Sequence, residues 1–215
     1  GFCLFNNLAV TAAHARKALG YERVMIWDWD MHHGNGTQDI FYDDPNVLVV
    51  DSHCAAPFYP GTGLLPETGT GAGVGYHLNV PLPMGFGNAA LLKVFEQVVR
   101  PAAHAFRPDI LLVSNGFDCH YLDMICNMNE TGYAAVTERM SNLADELCEG
   151  RLVLMLEGGY NAKALADSAY AVSETLAGKP VDGLNVLVDD PGCAAASEAA
   201  AFHANSIAAL DNQTH

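Results

Sequence analysis

Three stretches of the chain close on residues that can hold a metal ion or polarise a carbonyl. The first runs Ile26-Trp27-Asp28-Trp29-Asp30-Met31-His32-His33, and in an extended chain the period of two puts Asp28, Asp30 and His32 on one side. Two acids and an imidazole along one edge have the makings of a metal site. The second stretch ends Ser114-Asn115-Gly116-Phe117-Asp118 and delivers a further carboxylate. The third ends Glu157-Gly158-Gly159-Tyr160, where the glycines permit a tight turn that presents a phenol. Together they offer Asp, His, Asp and a hydroxyl donor. Three protein ligands with one position left open is how catalytic zinc is held, and oxygen and imidazole donors suit that metal. Such a site hydrolyses amides or esters. The metal polarises the carbonyl and lowers the pKa of its bound water to roughly 7, while a tyrosine hydroxyl aimed at the developing oxyanion adds a second electrophile.

Each residue also has a plainer reading. A lone Asp at a strand end commonly caps a helix, and His32-His33-Gly34-Asn35-Gly36 suits a polar turn. Glu157-Gly158-Gly159-Tyr160 can be a turn with an exposed Tyr, while Cys119, Met25 and Met155 are simplest as core. The coincidence of suitable residues at three strand ends favours the site.

Positioning them requires strands that end at one edge. Residues 23–29, 47–50, 76–80, 110–114 and 152–156 read as short apolar strands, and residues 8–19, 36–42, 89–106, 131–149 and 162–177 as helices. Strands alternating with helices imply an α/β fold with a mainly parallel sheet covered on both faces. In such a sheet the ligand site lies beyond the carboxyl ends of the strands, where the three motifs fall. Residues 54–75 are rich in Gly, Pro and Thr without periodicity, and a loop of that length is expected to be functional. Residues 1–180 are expected to form the catalytic unit. Residues 181–215 are expected as a C-terminal extension, its stretch 194–210 either an Ala-rich helix or a loosely ordered tail.

The composition narrows the partners. The 215 residues are 50% hydrophobic and 16% charged, with a formal net charge of −15, so the chain is globular and a phosphate-binding surface would have to work against the field of the whole protein. Nucleic acid is disfavoured as a partner. No apolar run reaches the ~18 residues that would span a bilayer, and the first residues given lack the basic flank and apolar stretch expected of a signal peptide, so no membrane role is expected. The six cysteines include no C-x-x-C pair and are expected to be reduced, in a cytoplasmic protein.

In order and spacing, several motifs resemble those of the zinc-dependent histone deacetylase and acetylpolyamine amidohydrolase superfamily, most closely its bacterial class II members. They are Gly1-Phe2-Cys3-Leu4-Phe5-Asn6-Asn7, Asp28-Trp29-Asp30-Met31-His32-His33-Gly34-Asn35-Gly36-Thr37-Gln38, Phe58-Tyr59-Pro60-Gly61-Thr62-Gly63, Ser114-Asn115-Gly116-Phe117-Asp118 and Leu156-Glu157-Gly158-Gly159-Tyr160-Asn161. The resemblance covers about residues 1–178. It implies the three-layer α/β/α fold of arginases and deacetylases, with the first part of the family's sheet preceding Gly1. It implies that Asp30, His32 and Asp118 bind one Zn2+ and that Tyr160 hydrogen-bonds the scissile carbonyl. Phe2 and Tyr59 would line a tunnel for an acetylated aminoalkyl chain, and Gly158 and Gly159 would let it approach the backbone. Asp28 would help hold a monovalent cation, K+, to which Asp51 offers an oxygen where a Ser is usual. Asn35 would support one histidine of a catalytic pair.

The implied activity is removal of acetyl groups from an acetyl-lysine protein tail or an acetylated small amine, and the acidic balance favours a cationic substrate. The family carries its two adjacent catalytic histidines a short way upstream of the Gly-Phe-Cys motif, before the first residue here. His120 follows Asp118 at the spacing by which His32 follows Asp30 and is weighed as a replacement base. The alternative reading is a catalytically incomplete zinc-binding module for acylated ligands or partners. A two-metal manganese hydrolase on the same architecture would need more carboxylates than Asp30-Met31-His32-His33 supplies. Asp123-Met124-Ile125-Cys126 departs from the Pro and apolar residue that relatives carry after the corresponding acid.

Overall fold

Val24-Met25-Ile26-Trp27-Asp28 has no polar residue before its last position, the pattern of a strand buried on both faces. In the computed structural model, which describes residues 3–184, 186 and 190–213, this segment is β1 (Val24–Asp28), fully buried. It lies between β2 (Val47–Cys54) and β4 (Ile110–Asn115), with β3 (His77–Leu82) beyond β2 and β5 (Leu152–Leu156) beyond β4. Every pairing in this five-stranded sheet is parallel.

Alternation along the strands builds two cores. Val24, Ile26, Val47, Val49, Ile110 and Leu112 face α1 (Asn7–Leu19), which buries Leu8, Ala12 and Ala15 against them, with Phe41 of α2 (Asn35–Phe41) at the side. On the opposite face Met25, Trp27, Leu48, Val50, Leu111 and Val113 meet α3 (Asn88–Val94), α4 (Arg100–Phe106), α5 (Glu130–Cys148) and α7 (Gly192–Gln213). The result is a three-layer α/β/α arrangement, and α6 (Ala162–Leu176) packs against α5. Asn side chains start three of the helices: Asn6 accepts the Ala9 amide, Asn129 that of Gly132, and Asn161 those of Lys163 and Ala164. Each such cap stabilises its helix by about 1 kcal/mol.

Two stretches differ from the sequence expectation and a third, open between two readings, is decided, each for a physical reason. β2 runs on from Val50 to Cys54, because the polar residues there are satisfied inside the sheet: Trp27 Nε1 donates to Ser52 Oγ at 2.9 Å, and Asp51 meets His53 at 2.7 Å. The helix expected over 89–106 is interrupted by a π-helical turn at Phe95–Val99, where the Arg100 amide reaches back to the Phe95 carbonyl. Pro101 lacks the amide that a regular helix would need there. Residues left between helix and tail at 194–210 are helical within α7, whose Ala196, Ala199 and Leu210 join the larger core. The Asp190 carboxylate anchors that end by accepting the amides of Gly87, Ala90 and Gly192.

The chain steps outward from β1 to β2 and β3, then returns to place β4 and β5 on the other side of β1. Strand order therefore reverses between β1 and β4, and the crevice at their carboxyl ends is where an α/β sheet binds ligands. Among the described residues, no helix is long and apolar enough to cross a membrane.

Candidate metal centre and active site

At that crevice β1 delivers Asp28 and, two and four residues on, Asp30 and His32; β4 delivers Asp118 just past its end. One donor atom from each of Asp30, His32 and Asp118 lies within 4.8 Å of the others. His32 Nδ1 is 3.0 Å from Asp30 Oδ1 and 3.0 Å from Asp118 Oδ2. Backbone amides aim the carboxylates: Met31 donates to Asp118 Oδ1 at 2.9 Å, His32 to Asp30 Oδ1 at 2.8 Å and Gly158 to Asp30 Oδ2 at 2.8 Å. Asp118 Oδ2 is buried and takes no hydrogen bond of good geometry, so the acceptor that faces the group is left for a cation. The donor set of two carboxylates and an imidazole, with one orphaned buried oxygen, fits a divalent metal ion.

The electrostatics point the same way. The Asp118 and Asp30 carboxylates, each with an oxygen 3.0 Å from His32 Nδ1, raise the imidazole to a pKa of about 9. Burial lifts Asp118 to about 6 against the opposing pull of His32. Burial also pushes Asp30 upward, but its hydrogen bonds from His32 outweigh this and its pKa falls below the usual value. The three groups demand a positive charge among them, supplied by a proton on His32 or by a metal ion.

Close packing requires glycine at two neighbouring positions. A Cβ on Gly158 would stand 2.4 Å from Asp118 Oδ2 and 2.6 Å from Asp30 Oδ2, and one on Gly116 would stand 2.3 Å from Asp30 Oδ2. Gly159, at φ 134°, turns the chain so that Tyr160 faces a cleft of about 490 Å³ shared with Asp30 and His32. Tyr160 is 69% exposed, and burial together with Asp118 and Asp30 raises its phenol pKa. The phenol thus stays in its donating form at neutral pH.

Asp28, Asn35 and Tyr59 also line this cleft. Tyr59 is half-exposed, its ring centroid 6.2 Å from that of His32. Asp28 is buried beneath, accepting the Asp30 amide at 2.9 Å, and burial followed by Asp51 and Asp30 raises its pKa well above the usual range. Asp51 accepts the Gly34 amide at 2.8 Å, and the Oδ2 atoms of Asp28 and Asp51 converge on the space that a Gly34 side chain would fill, 2.6 and 3.0 Å from it. Phe2 lies outside the described residues.

Sequence reasoning missed Phe58, which stacks on the His32 ring at 5.2 Å and 28°. Its position beside Tyr59 in an aromatic loop was the available signal. His120 is used elsewhere: its Nε2 is 3.3 Å from Glu130 and its Nδ1 accepts the Leu122 amide at 3.1 Å. One ring nitrogen is engaged by the loop that follows Asp118 and the other by the start of α5, so neither is directed at the metal group.

Residues 1–176 match the family described as the histone deacetylase domain. The chain belongs to the histone deacetylase family. It is 43% identical over 193 residues to "Histone deacetylase 14, chloroplastic" of Arabidopsis thaliana, covering 89% of this chain and 45% of that protein. With "Probable deacetylase" of Archaeoglobus fulgidus it shares 42% identity over 181 residues, 83% of this chain and 50% of the relative. Among solved structures, the HDA15 HD domain superposes with a TM-score of 0.86 at 37% identity, covering all of this chain and 60% of that one. The histone deacetylase Clr3 gives 0.85 at 37% identity, covering 96% of this chain and 35% of that one. This deacetylase-family chain thus spans about half the length, or less, of the curated relatives it matches.

Proposed function

We propose that the chain carries the metal site and substrate cleft of a zinc-dependent amidohydrolase that removes acetyl groups from acetyl-lysine side chains or acetylated polyamines. The observation that carries this reading is the Asp30–His32–Asp118 group at the strand-order reversal of a histone deacetylase-family fold. Held there, Zn2+ would supply Lewis-acid polarisation of the amide carbonyl and activation of a water. Asp30 and Asp118 bring the negative charge that binds it. His32 brings a nitrogen whose ring is held in place by Phe58. Tyr160 donates its phenolic hydroxyl to the carbonyl oxygen as that atom gains charge. Tyr59 offers aromatic surface to the methylenes of the amine, a contact that needs no charge. Asp28 and Asp51, whose Oδ2 atoms converge beside Gly34, would hold K+ and so steady the Asp28–His32 segment, and Asn35 would support a histidine of the catalytic pair. The six free thiols suit a reducing, cytoplasmic setting.

The test is deacetylation of an acetyl-lysine amide by the zinc-loaded protein that contains this chain, with Asp30→Ala beside it. Turnover that the substitution abolishes is expected. Zinc bound without turnover would favour the acyl-binding module instead, and turnover that survives Asp30→Ala would place the chemistry at another site.

A further inference from the structure

The deacetylase reading gives Tyr160 a task that needs position, yet its side chain is largely exposed and two glycines precede it. What fixes it is its backbone. Asp123, in the loop between Asp118 and α5, accepts the Tyr160 amide at 2.6 Å and the Asn161 amide at 2.7 Å on the same oxygen, Oδ2. The tie is returned by Asn161, whose Nδ2 donates to the Leu122 carbonyl at 2.9 Å. The loop is itself braced: the Asp123 amide reaches the His120 carbonyl at 2.8 Å, Tyr121 that of Met128 at 2.8 Å, and Met128 that of Cys119 at 3.0 Å. A loop that begins at a metal-group carboxylate thus closes on the turn that presents the phenol.

We propose that Asp123 is the positioning residue for Tyr160, a role that rests on the deacetylase reading of the site. The carboxylate also stands at the N-terminus of α6, where Asn161 is the cap, and a negative charge there is favoured by the exposed amides and the helix dipole. Hydrogen bonds from amides to an ionised carboxylate are the stronger kind. Tyr160 is therefore referenced to Asp118 through the four residues that separate Asp118 from Asp123, rather than to the glycine pair alone. This also gives a reason for an acid at this position in a loop whose next residues, Met124 and Ile125, are exposed.

The test has two readouts. The first is amide hydrogen exchange on this chain: in the unsubstituted protein Tyr160 and Asn161 exchange slowly, and Asp123→Ala accelerates both at least tenfold, with Asp123→Asn between. Unchanged exchange at those two amides would overturn the proposal whether or not the protein is a deacetylase. The second is kinetic, on the zinc-loaded protein containing the chain. Asp123→Ala lowers kcat at least tenfold with KM and zinc content unchanged, Asp123→Asn recovers part of it, and in a Tyr160→Phe background Asp123→Ala costs nothing further. Equal losses in both backgrounds, or loss of zinc, would mean that Asp123 supports the loop and Asp118 rather than Tyr160. A protein without turnover counts against the deacetylase reading alone, because the exchange measurement still decides what holds Tyr160.

Discussion

Asp30 and Asp118 arrive at His32 from different strands, and their charge is balanced only by a proton or a metal ion. His77 is the opposite case. It is buried on β3 with neither ring nitrogen hydrogen-bonded among the described residues, its ring centroid 5.1 Å from that of Tyr42 and inclined to it by 69°. Burial lowers its pKa to about 4, with His33 adding to this and Asp51 opposing it. Between about 4 and the ordinary histidine value of 6.5 the unfolded chain binds a proton there and the folded chain does not. Stability therefore falls as pH drops through that window, and the slope ends below about 4. Integrated over the window, the loss is of order 3 kcal/mol. Denaturant titrations at pH 7 and pH 4.5 should show the decline, to which buried His33 and His203 add, and His77→Leu should make it measurably smaller while leaving stability at pH 7 unchanged or higher. An equal decline in the variant would move the cause elsewhere. At this scale the sequence was legible where chemistry needs a distinctive residue type: Asp30, His32, Asp118 and Tyr160 could be named from their motifs. Phe58 and Asp123 could not be placed, because stacking on a ring and accepting two amides depend on loop paths that spacing does not encode.

Elements decide which of these residues meet. The strands and helices could be read from apolar runs, Asn caps and Gly stops, since each follows from local periodicity. β2 was cut short because Asp51, Ser52 and His53 look like loop residues until a neighbouring strand satisfies them. β5 falls at residues 152–156 as read from its apolar run, and it is an edge of the described sheet, with Val153 and Leu156 exposed. Beyond β5 the turn at Gly158 governs the metal group. Gly158→Ala drives a methyl against both carboxylates and should weaken zinc binding at least tenfold. Gly36→Ala, within α2, is the matched control, since its methyl would find only Asn6 Nδ2 of the α1 cap at 3.9 Å, an ordinary contact. Isothermal titration of both variants checks this, and equal affinities would show that the carboxylates yield without cost.

The molecule as a whole is strongly acidic, with 25 Asp and Glu against 10 Lys and Arg. A cationic acetylated amine or Lys-rich tail should be drawn to it, so KM should rise as salt shortens the reach of that field below about 10 Å near 0.1 M. A KM independent of salt would separate substrate choice from net charge. Fold class was legible because alternating strands and helices leave few arrangements, and the site because a parallel sheet has one place for it. Whether Asp30, His32 and Asp118 hold one divalent ion is read from zinc bound per chain at equilibrium, with Asp30→Ala and Asp118→Asn beside the unsubstituted protein. One ion per chain is predicted, lost in both variants. Between pH 6 and pH 9, where His32 must surrender its proton, affinity should rise about tenfold per pH unit. A chain that binds no zinc, or variants that bind it as tightly, would contradict the account.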